Sequence, residues 1–298
     1  MPATRKGYGS WAPFVWLNGR LVPAEKARVS VFDRGILLGD GVYETLRVRN
    51  GRPFRWPPHR ERLRRSLEGA RIVLSFPLSA LDDGIARCLQ ANELREARLR
   101  ITITRGEGNP GFDMMEGAAP SVILAASRWT PLPAEKYLDG VNAVIPRIRQ
   151  TGRENLDPAL KSISRIHLVL ARMEAAGRGA QEALLLGSGG EVREGTASNV
   201  FLARAGELRT PSLESGVLEG VTRGAILELA RAAGIPCRED RVGREDLESA
   251  DEIFFTNTSW GALPVTRLDG KPVGTGRPGP LARELGSRLS ALVDEECA

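Results

Sequence analysis

The lysines of this chain are few, and one of them stands where covalent chemistry is feasible. The 298-residue sequence contains five: Lys6, Lys26, Lys136, Lys161 and Lys271. Four lie in a tail, in polar turns or in a proline-rich connection, which are ordinary solvated positions. Lys161 instead has Leu160 and Ile163 beside it at the predicted start of a helix. A lysine withdrawn from water has a lowered pKa and can attack a carbonyl carbon as a free amine. The alternative is a lysine whose stem covers apolar surface while its ammonium group stays in water.

A carboxylate opens a second polar segment. Glu194 begins a run of small and polar residues that ends at Asn199, directly before an apolar strand. At this position a carboxylate can face a pocket and pair with a cationic group of a ligand. A plain turn between two strands is the alternative.

Two further segments have the residues to bind an anion. Gly220 leads into a predicted helix with Thr222 near its N-terminus, where backbone N–H groups and the helix dipole favour phosphate. Simple N-capping by Thr222 is the alternative. Residues 256–259 follow a buried strand and add hydroxyl and backbone donors. Residues 187–190 look like a phosphate loop but lack its Gly-Lys ending and the following helix, so they are predicted to form a hairpin turn.

Short strands and helices follow one another along the whole chain, which predicts an α/β fold with mixed α+β character. Strands are predicted at 14–22 (a hairpin turning at Asn18-Gly19), from 29 into a glycine-punctuated loop, and at 43–49, 98–105, 121–127, 140–149, 183–186, 200–203, 207–209 and 252–256. Helices are predicted after Pro57-Pro58 and at 79–92, 158–176, 221–233 and 281–293. Residues 129–136 have the proline content of a linker. They predict a small N-terminal domain over 1–128 and a larger domain over 137–298.

Composition excludes several classes of function. Three cysteines in no metal-like spacing and only two histidines argue against a disulfide framework or a metal site, and they fit a reducing cytoplasm. No apolar run reaches the ~18–20 residues of a membrane helix. The formal charge of +5 leaves open a basic anion-binding module centred on residues 60–65. Because no aromatic-interleaved pattern accompanies these arginines, nucleic acid is not an expected partner.

Taken in order, five segments resemble the fold-type-IV (class IV) pyridoxal-phosphate-dependent enzymes. This family comprises branched-chain aminotransferases, D-amino-acid aminotransferases and aminodeoxychorismate lyases. The segments are FDRGILLGDGVYET at 32–45, HRERL at 59–63, Lys161-Ser162, EGTASN at 194–199 and GVTR at 220–223. The resemblance covers about residues 15–265. It implies two domains with the cofactor cleft between them, and a homodimer whose active sites borrow residues from the partner subunit.

The resemblance also implies a role for each residue. Lys161 would join the aldehyde of pyridoxal 5'-phosphate and move a proton during transfer between an amino acid and a 2-oxo acid. Glu194 would pair with the pyridine nitrogen, and Leu218 would pack on a ring face. The phosphate would be held by Arg60, the backbone N–H of Val221 with Thr222, and Thr258.

One predicted strand carries residues that could bind the substrate. Branched-chain members of the resembled family usually carry Tyr-x-Arg-Pro where this chain has Arg98-Leu-Arg100-Ile. Alternation along a strand places Arg98 and Arg100 on one face, which either lines the pocket or meets solvent. In the pocket they would bind a substrate carboxylate, with Arg28 as a further candidate that this family often supplies from the neighbouring subunit.

Spare arginines favour acidic partners such as 2-oxoglutarate or glutamate. The strand end Ile103-Thr-Arg-Gly106 is more similar to the D-amino-acid and lyase branches. A D-amino-acid transaminase working with 2-oxoglutarate or pyruvate is therefore expected. The Pro-Arg-x-His motif of Bacillus-type D-amino-acid enzymes has no match, which argues against a standard D-specific pocket. A branched-chain L-amino-acid aminotransferase is the first alternative. Aminodeoxychorismate lyase and (R)-amine transaminase activities are the others.

Overall fold

The computed structural model describes residues 10–109, 111–113 and 119–298, so Lys6 lies outside the described residues. The chain divides into two compact units. The first comprises Met1–Thr130, Lys161–Ser164 and Glu296–Ala298, and the second comprises Pro131–Leu160 and Arg165–Glu295. Residues 161–164 therefore group with the N-terminal part of the chain, although they follow 30 residues of the second unit. The domain boundaries at 128 and 136 stay a prediction.

The first unit is built on an antiparallel sheet. Its described strands are β1 (Trp11–Leu17), β2 (Arg20–Pro23), β3 (Gly41–Arg49), β4 (Arg52–Pro53), β5 (Ala97–Thr104) and β6 (Ser121–Arg128), in the order β2-β1-β6-β5-β3-β4. Its helices are α1 (Arg34–Leu38), α2 (Trp56–Gly69) and α3 (Ala80–Ala91), with a 3-10 turn at Ala24–Lys26. One sheet face packs against α2 and α3 through apolar residues such as Leu46, Leu99 and Leu63. The other face carries polar residues, among them Arg98, Arg100 and Thr102 of β5.

Local sequence explains where these elements begin and end. The predicted hairpin at Asn18-Gly19 is confirmed, since both residues have the positive φ that such a turn requires. The predicted strand from Val29 is wrong. Asp33 accepts a hydrogen bond from the Gly35 N–H and so starts helix α1 there, and Gly39 ends it at a φ of 68°.

The second unit holds a mixed sheet. Its described strands are β7 (Val141–Val144), β8 (Glu182–Leu186), β9 (Val192–Gly195), β10 (Asn199–Arg204), β11 (Glu207–Pro211), β12 (Cys237–Asp240), β13 (Glu252–Asn257), β14 (Gly261–Leu268) and β15 (Lys271–Pro272). They are ordered β12-β11-β10-β13-β14-β7-β8-β9, with β15 beside β14. The helices are α4 (Glu135–Leu138), α5 (Ile166–Gly177), α6 (Val221–Ala232), α7 (Arg244–Glu248) and α8 (Pro280–Glu296), and a 3-10 turn covers Leu213–Ser215.

Two boundaries differ from the prediction. The helix expected over 158–176 begins only at Ile166, because residues 161–163 hydrogen-bond to β3 instead of coiling. The strand expected over 140–149 ends at Val144.

The turn predicted at 187–190 is confirmed as the connection between the antiparallel strands β8 and β9. Within the described residues, no helix is both long and apolar enough to span a membrane.

Candidate active site

Lys161 lies in an extended segment beside strand β3. The Tyr43 N–H donates to the Lys161 carbonyl over 2.9 Å, and the Ile163 N–H donates to the Gly41 carbonyl over 3.0 Å. Gly41 allows this approach, because a Cβ there would lie 2.9 Å from Cδ1 of Ile163 and 2.7 Å from a carbonyl of β5. From helix α2, Ser66 Oγ accepts the Lys161 N–H over 3.2 Å. The backbone of Lys161 is therefore fixed from two sides, which fixes the starting point of its side chain.

An aromatic ring connects this lysine to the arginines of β5. The Lys161 Nζ lies 5.0 Å from the centre of the Tyr43 ring, and the Arg100 guanidinium carbon lies 3.9 Å from the same centre. Arg98 alternates with buried Leu99, so Arg98 and Arg100 share a half-buried strand face, as predicted. Arg98 lies 5.8 Å from the centre of the Trp11 ring. Of the two arginines, Arg100 is thus the one that shares a ring contact with Lys161.

Helix α2 turns a charged cluster inward. Glu44, on β3, accepts hydrogen bonds from Nε and Nη2 of Arg62, each over 2.7 Å, and lies 2.8 Å from Nδ1 of His59. His59, Arg62 and Ser66 follow one another at helical spacing on the buried side of α2. Since Ser66 also binds the backbone of Lys161, this cluster belongs to the same part of the first unit as the lysine.

The cluster has defined charges. Burial acts to raise the pKa of the Glu44 carboxyl, but Arg62 and His59 outweigh it and hold that pKa well below its usual range. Burial lowers the pKa of His59, and the nearby Arg62 and Lys161 lower it further against the opposing effect of Glu44. At neutral pH the cluster therefore contains an ionised Glu44, a charged Arg62 and a neutral His59.

Arg60 does not lie with this cluster. It points to the other side of α2, where its guanidinium group pairs with Asp82 over 3.0 Å at a partly exposed position. Two residues of α-helix correspond to about 200° of rotation, so Arg60 and Arg62 cannot share a face. Arg64, in the same run, pairs with Glu61 over 2.6 Å and also with Glu68. These surface ion pairs neutralise much of the predicted basic cluster.

Glu194 lies at the end of β9 with a set of oriented donors. The Gln150 side-chain N–H donates to Oε1 over 2.6 Å, and the Leu218 backbone N–H donates to Oε2 over 3.1 Å. Asn199 donates to Oε2 over 3.4 Å and to the Leu218 carbonyl over 2.8 Å. The residue is 7% exposed, so its carboxylate has a fixed direction and little contact with water. Leu218 contributes through its backbone, and its side chain is half-buried.

The N-terminus of α6 lies directly after this carboxylate site. Val221 is the first helical residue, Thr222 is the second, and Gly220 has no side chain with which to cap them. Thr222 is therefore not the N-cap, and this buried residue carries its hydroxyl in the first turn, where the backbone N–H groups have no side-chain cap. A Cβ at position 220 would lie 1.9 Å from Oδ1 of Asn199, so a larger residue there would displace the Asn199 side chain from its contacts with Glu194 and Leu218. Thr258 is half-buried in the turn between β13 and β14.

Arg28 is separate from these groups. It follows the 3-10 turn and is exposed, and its guanidinium group donates to the backbone carbonyls of Glu25 and Ala27 over 2.6 Å and 3.1 Å. None of the described contacts in the first unit connects Arg28 to Lys161.

Sequence reasoning missed three residues of these groups. Arg62 was detectable, because His59, Arg62 and Ser66 form an i, i+3, i+7 polar stripe beside the apolar Leu63. Tyr43 lies in the family segment at 32–45, but the sequence alone indicated no role for it. Gln150 had no signal at all, since it approaches Glu194 across 44 residues of sequence.

Comparison with known proteins gives these groups a context. A family model described as amino-transferase class IV matches residues 41–268. A D-alanine aminotransferase of Bacillus licheniformis is 32% identical over 284 residues, covering 95% of this chain and 98% of that protein. The crystal structure of an Escherichia coli branched-chain amino acid aminotransferase is 31% identical, with a TM-score of 0.92 over 96% of each chain. The branched-chain amino acid aminotransferase from Thermobaculum terrenum, solved in its PLP-form, is 27% identical, with a TM-score of 0.86 over 95% of this chain and 94% of that one.

Proposed function

This chain belongs to the class IV aminotransferases, which use pyridoxal phosphate, and we propose that it moves the amino group of a D-amino acid to 2-oxoglutarate or pyruvate. The observation that supports amino-acid transfer is the pair of cationic groups at one aromatic ring, and the similarity to a D-alanine aminotransferase supports the D preference. Arg100 and Lys161 both lie over Tyr43, so a cation stands near the amine that would react. A substrate carboxylate fits such a place.

The residues present fit the cofactor. A buried carboxylate held in one direction by amide and backbone donors, as at Glu194, suits a protonated pyridine nitrogen. An uncapped helix N-terminus with the hydroxyl of Thr222 in its first turn suits a phosphate group. When bound, pyridoxal phosphate supplies an aldehyde for the amine and a ring that accepts the electron pair released at Cα.

Each residue then has a task. Lys161 offers its Nζ as the attacking amine and afterwards as the base that takes the Cα proton. Glu194 keeps the ring nitrogen protonated. Val221 and Thr222 donate to the phosphate, with Thr258 as a further donor. We assign the arginine of the phosphate site to Arg62 in place of Arg60, because Arg62 is buried near Lys161 whereas Arg60 pairs with Asp82.

Branched-chain L-amino acids are the second candidate substrate class. The similarity to branched-chain aminotransferases over almost the whole chain favours them. The face of β5 favours an acidic partner for either substrate class, since Arg100 on it offers a bidentate site for a carboxylate. In either enantiomer the Cα proton must face Lys161, so the stereochemical preference depends on where the site binds the carboxylate and where it binds the side chain. A direct measurement decides it.

Single half-reactions distinguish the candidates. The purified holoenzyme is mixed with D-alanine, D-glutamate, L-leucine or L-glutamate, and the visible absorbance band of the bound cofactor is followed. We expect loss of the band with the D-amino acids, fastest with D-glutamate. Loss with the L-amino acids alone would reject the D assignment. Borohydride reduction of the resting enzyme should add the cofactor mass at Lys161, and Lys161→Ala should abolish both signals.

A second copy of the chain is the proposed partner. In the first unit, Phe32, Ile36 and Leu37 are 63%, 61% and 49% exposed around α1. In the second unit, Ile166 and Met173 are exposed on α5. Contiguous exposed apolar residues of this kind mark protein interfaces. A homodimer would cover them, and cytoplasmic location stays a prediction from the sequence.

A further inference from the structure

Glu194 is the end of a chain of hydrogen bonds that begins at a histidine. His167, on helix α5, places Nε2 3.0 Å from Oε1 of Gln150. The amide nitrogen of Gln150 donates to Oε1 of Glu194 over 2.6 Å. All three residues belong to the second unit. The two links are within ordinary hydrogen-bonding distance, so the chain is continuous.

The chemistry of the three groups fixes the direction of every bond. A carboxylate only accepts, so the Gln150 amide must turn its nitrogen toward Glu194 and its oxygen toward His167. The Thr151 N–H donates to the same oxygen over 3.0 Å, which supports this orientation. The Gln150 backbone N–H donates to the Leu186 carbonyl over 3.0 Å and so fixes the base of the side chain against β8.

His167 supplies the remaining donor. Burial lowers the pKa of His167, and Arg165 lowers it further, so the ring is neutral at neutral pH. A neutral ring has one N–H group, and the contact with a carbonyl oxygen requires it on Nε2. Without that donor, the Gln150 oxygen would keep one partner only, and the amide would be freer to turn its oxygen toward the Glu194 carboxylate.

We propose that His167 is a positioning residue that acts through Gln150 on Glu194, and so sets how firmly Glu194 holds the pyridine nitrogen of the cofactor. Gln150 holds Oε1 of Glu194 while Leu218 holds Oε2. The carboxylate can then meet a ring N–H from one direction only. The proposal rests on the role of Glu194 in the proposed function.

The test compares two cofactor forms in affinity titrations of the apoprotein. One is pyridoxal phosphate, and the other is an analogue with C–H in place of the ring nitrogen. His167→Phe removes the donor, and Gln150→Leu removes the link. We expect each variant to weaken pyridoxal phosphate binding about threefold to tenfold, as for loss of one hydrogen bond. Binding of the analogue should be unchanged, because it offers Glu194 no proton.

Two further variants sharpen the comparison. His167→Gln keeps an N–H group near the position of Nε2 and should restore affinity to within about twofold of the original. The double variant with His167→Phe and Gln150→Leu should bind no more weakly than Gln150→Leu alone, since the histidine acts through the glutamine. Gln181→Leu is the matched control, because Gln181 uses its amide oxygen to accept the Asn142 N–H and lies just before the start of β8, whereas Gln150 is bonded to Leu186 at the end of that strand. It should behave as the original protein.

Three results would overturn the proposal: unchanged affinity of His167→Phe for pyridoxal phosphate, an equal loss for the analogue, or multiplied losses in the double variant. If His167→Phe does not fold, His167→Ala removes the same donor with less steric change. Failure of the original protein to bind pyridoxal phosphate at all would instead reject the proposed function. The two failures are therefore distinguishable.

Discussion

Arg62 donates to both carboxylate oxygens of Glu44, through Nε and Nη2, over 2.7 Å in each case. Both side chains are nearly inaccessible to solvent. A two-point contact fixes the plane of the guanidinium group as well as its position. Glu44 therefore orients Arg62. The same strand, β3, also carries Tyr43, whose ring lies next to Lys161. One strand thus sets the direction of two candidate functional groups.

Arg62 and Arg60 provide a matched pair for testing the phosphate assignment. Arg62→Lys keeps the charge but loses the planar fork that Glu44 orients. We expect the dissociation constant for pyridoxal phosphate to rise about tenfold, as for a weakened charge-assisted hydrogen bond. Arg60→Lys should change it less than about twofold. Fluorescence or absorbance titration of the apoproteins measures both, and the opposite ranking would return the role to Arg60.

Acid should destabilise the apoprotein through Glu44 and His59. The native pKa of each lies below its ordinary value, so the unfolded chain binds protons that the native protein does not. Stability is therefore complete above pH ~6.5 and falls with pH, first through His59 and below about pH 4.3 also through Glu44. Each such group contributes up to ~1.4 kcal/mol per pH unit within its window.

His59→Asn isolates the first of these contributions. Asparagine keeps a polar group near Nδ1 but does not titrate. Urea unfolding at pH 7.5 and 5.5 should show a smaller loss of unfolding free energy in the variant than in the original protein. His167 still titrates in both proteins, so part of the loss should persist. Equal losses in the two proteins would contradict the assignment.

The sequence predicted the parts of the site that local pattern determines. Lys161, Glu194 and the N-terminus of α6 were singled out because each lies in a short segment whose composition departs from its neighbours, and the family resemblance supplied their proposed roles. The alternation that places Arg98 and Arg100 on one face also followed from strand geometry. Most helices and strands were found, with bounds within a few residues.

Contacts between distant segments could not be predicted. Residues 161–163 pair with β3 across more than 100 residues, and this pairing prevents the helix that their apolar spacing favours. Gln150 reaches Glu194 in the same long-range way. The spacing of His59, Arg62 and Ser66 indicates which side of α2 Arg62 occupies, but its contact with Glu44 on β3 could not be predicted. That contact depends on the packing of Leu63 and Leu67 against the sheet.

Arg100 and Arg98 should differ in their effect on substrate. Arg100→Leu removes the cation over Tyr43 and should raise the KM for 2-oxoglutarate about tenfold to a hundredfold, as for loss of a charged hydrogen bond. The KM for pyruvate, which has one carboxylate fewer, should rise less. Arg98→Leu changes the same strand face near Trp11 and serves as the control, with an effect below about threefold. Equal effects of the two substitutions on the KM for 2-oxoglutarate would contradict a specific role of Arg100 in binding the substrate.

The apolar surface of α1 should be the side of the first unit that a second copy covers. Ile36→Glu places a charge in the middle of that surface and should shift the proposed dimer toward monomer, because a buried unpaired charge costs several kcal/mol. Val73→Glu is the matched control: Val73 is also apolar and is 83% exposed, but it lies in the connection after α2 and not on α1. Sedimentation velocity of both variants and of the original protein measures the change. A dimer that persists in Ile36→Glu would show that α1 lies outside the interface, whereas dissociation of Val73→Glu would show that the effect is general to surface charge.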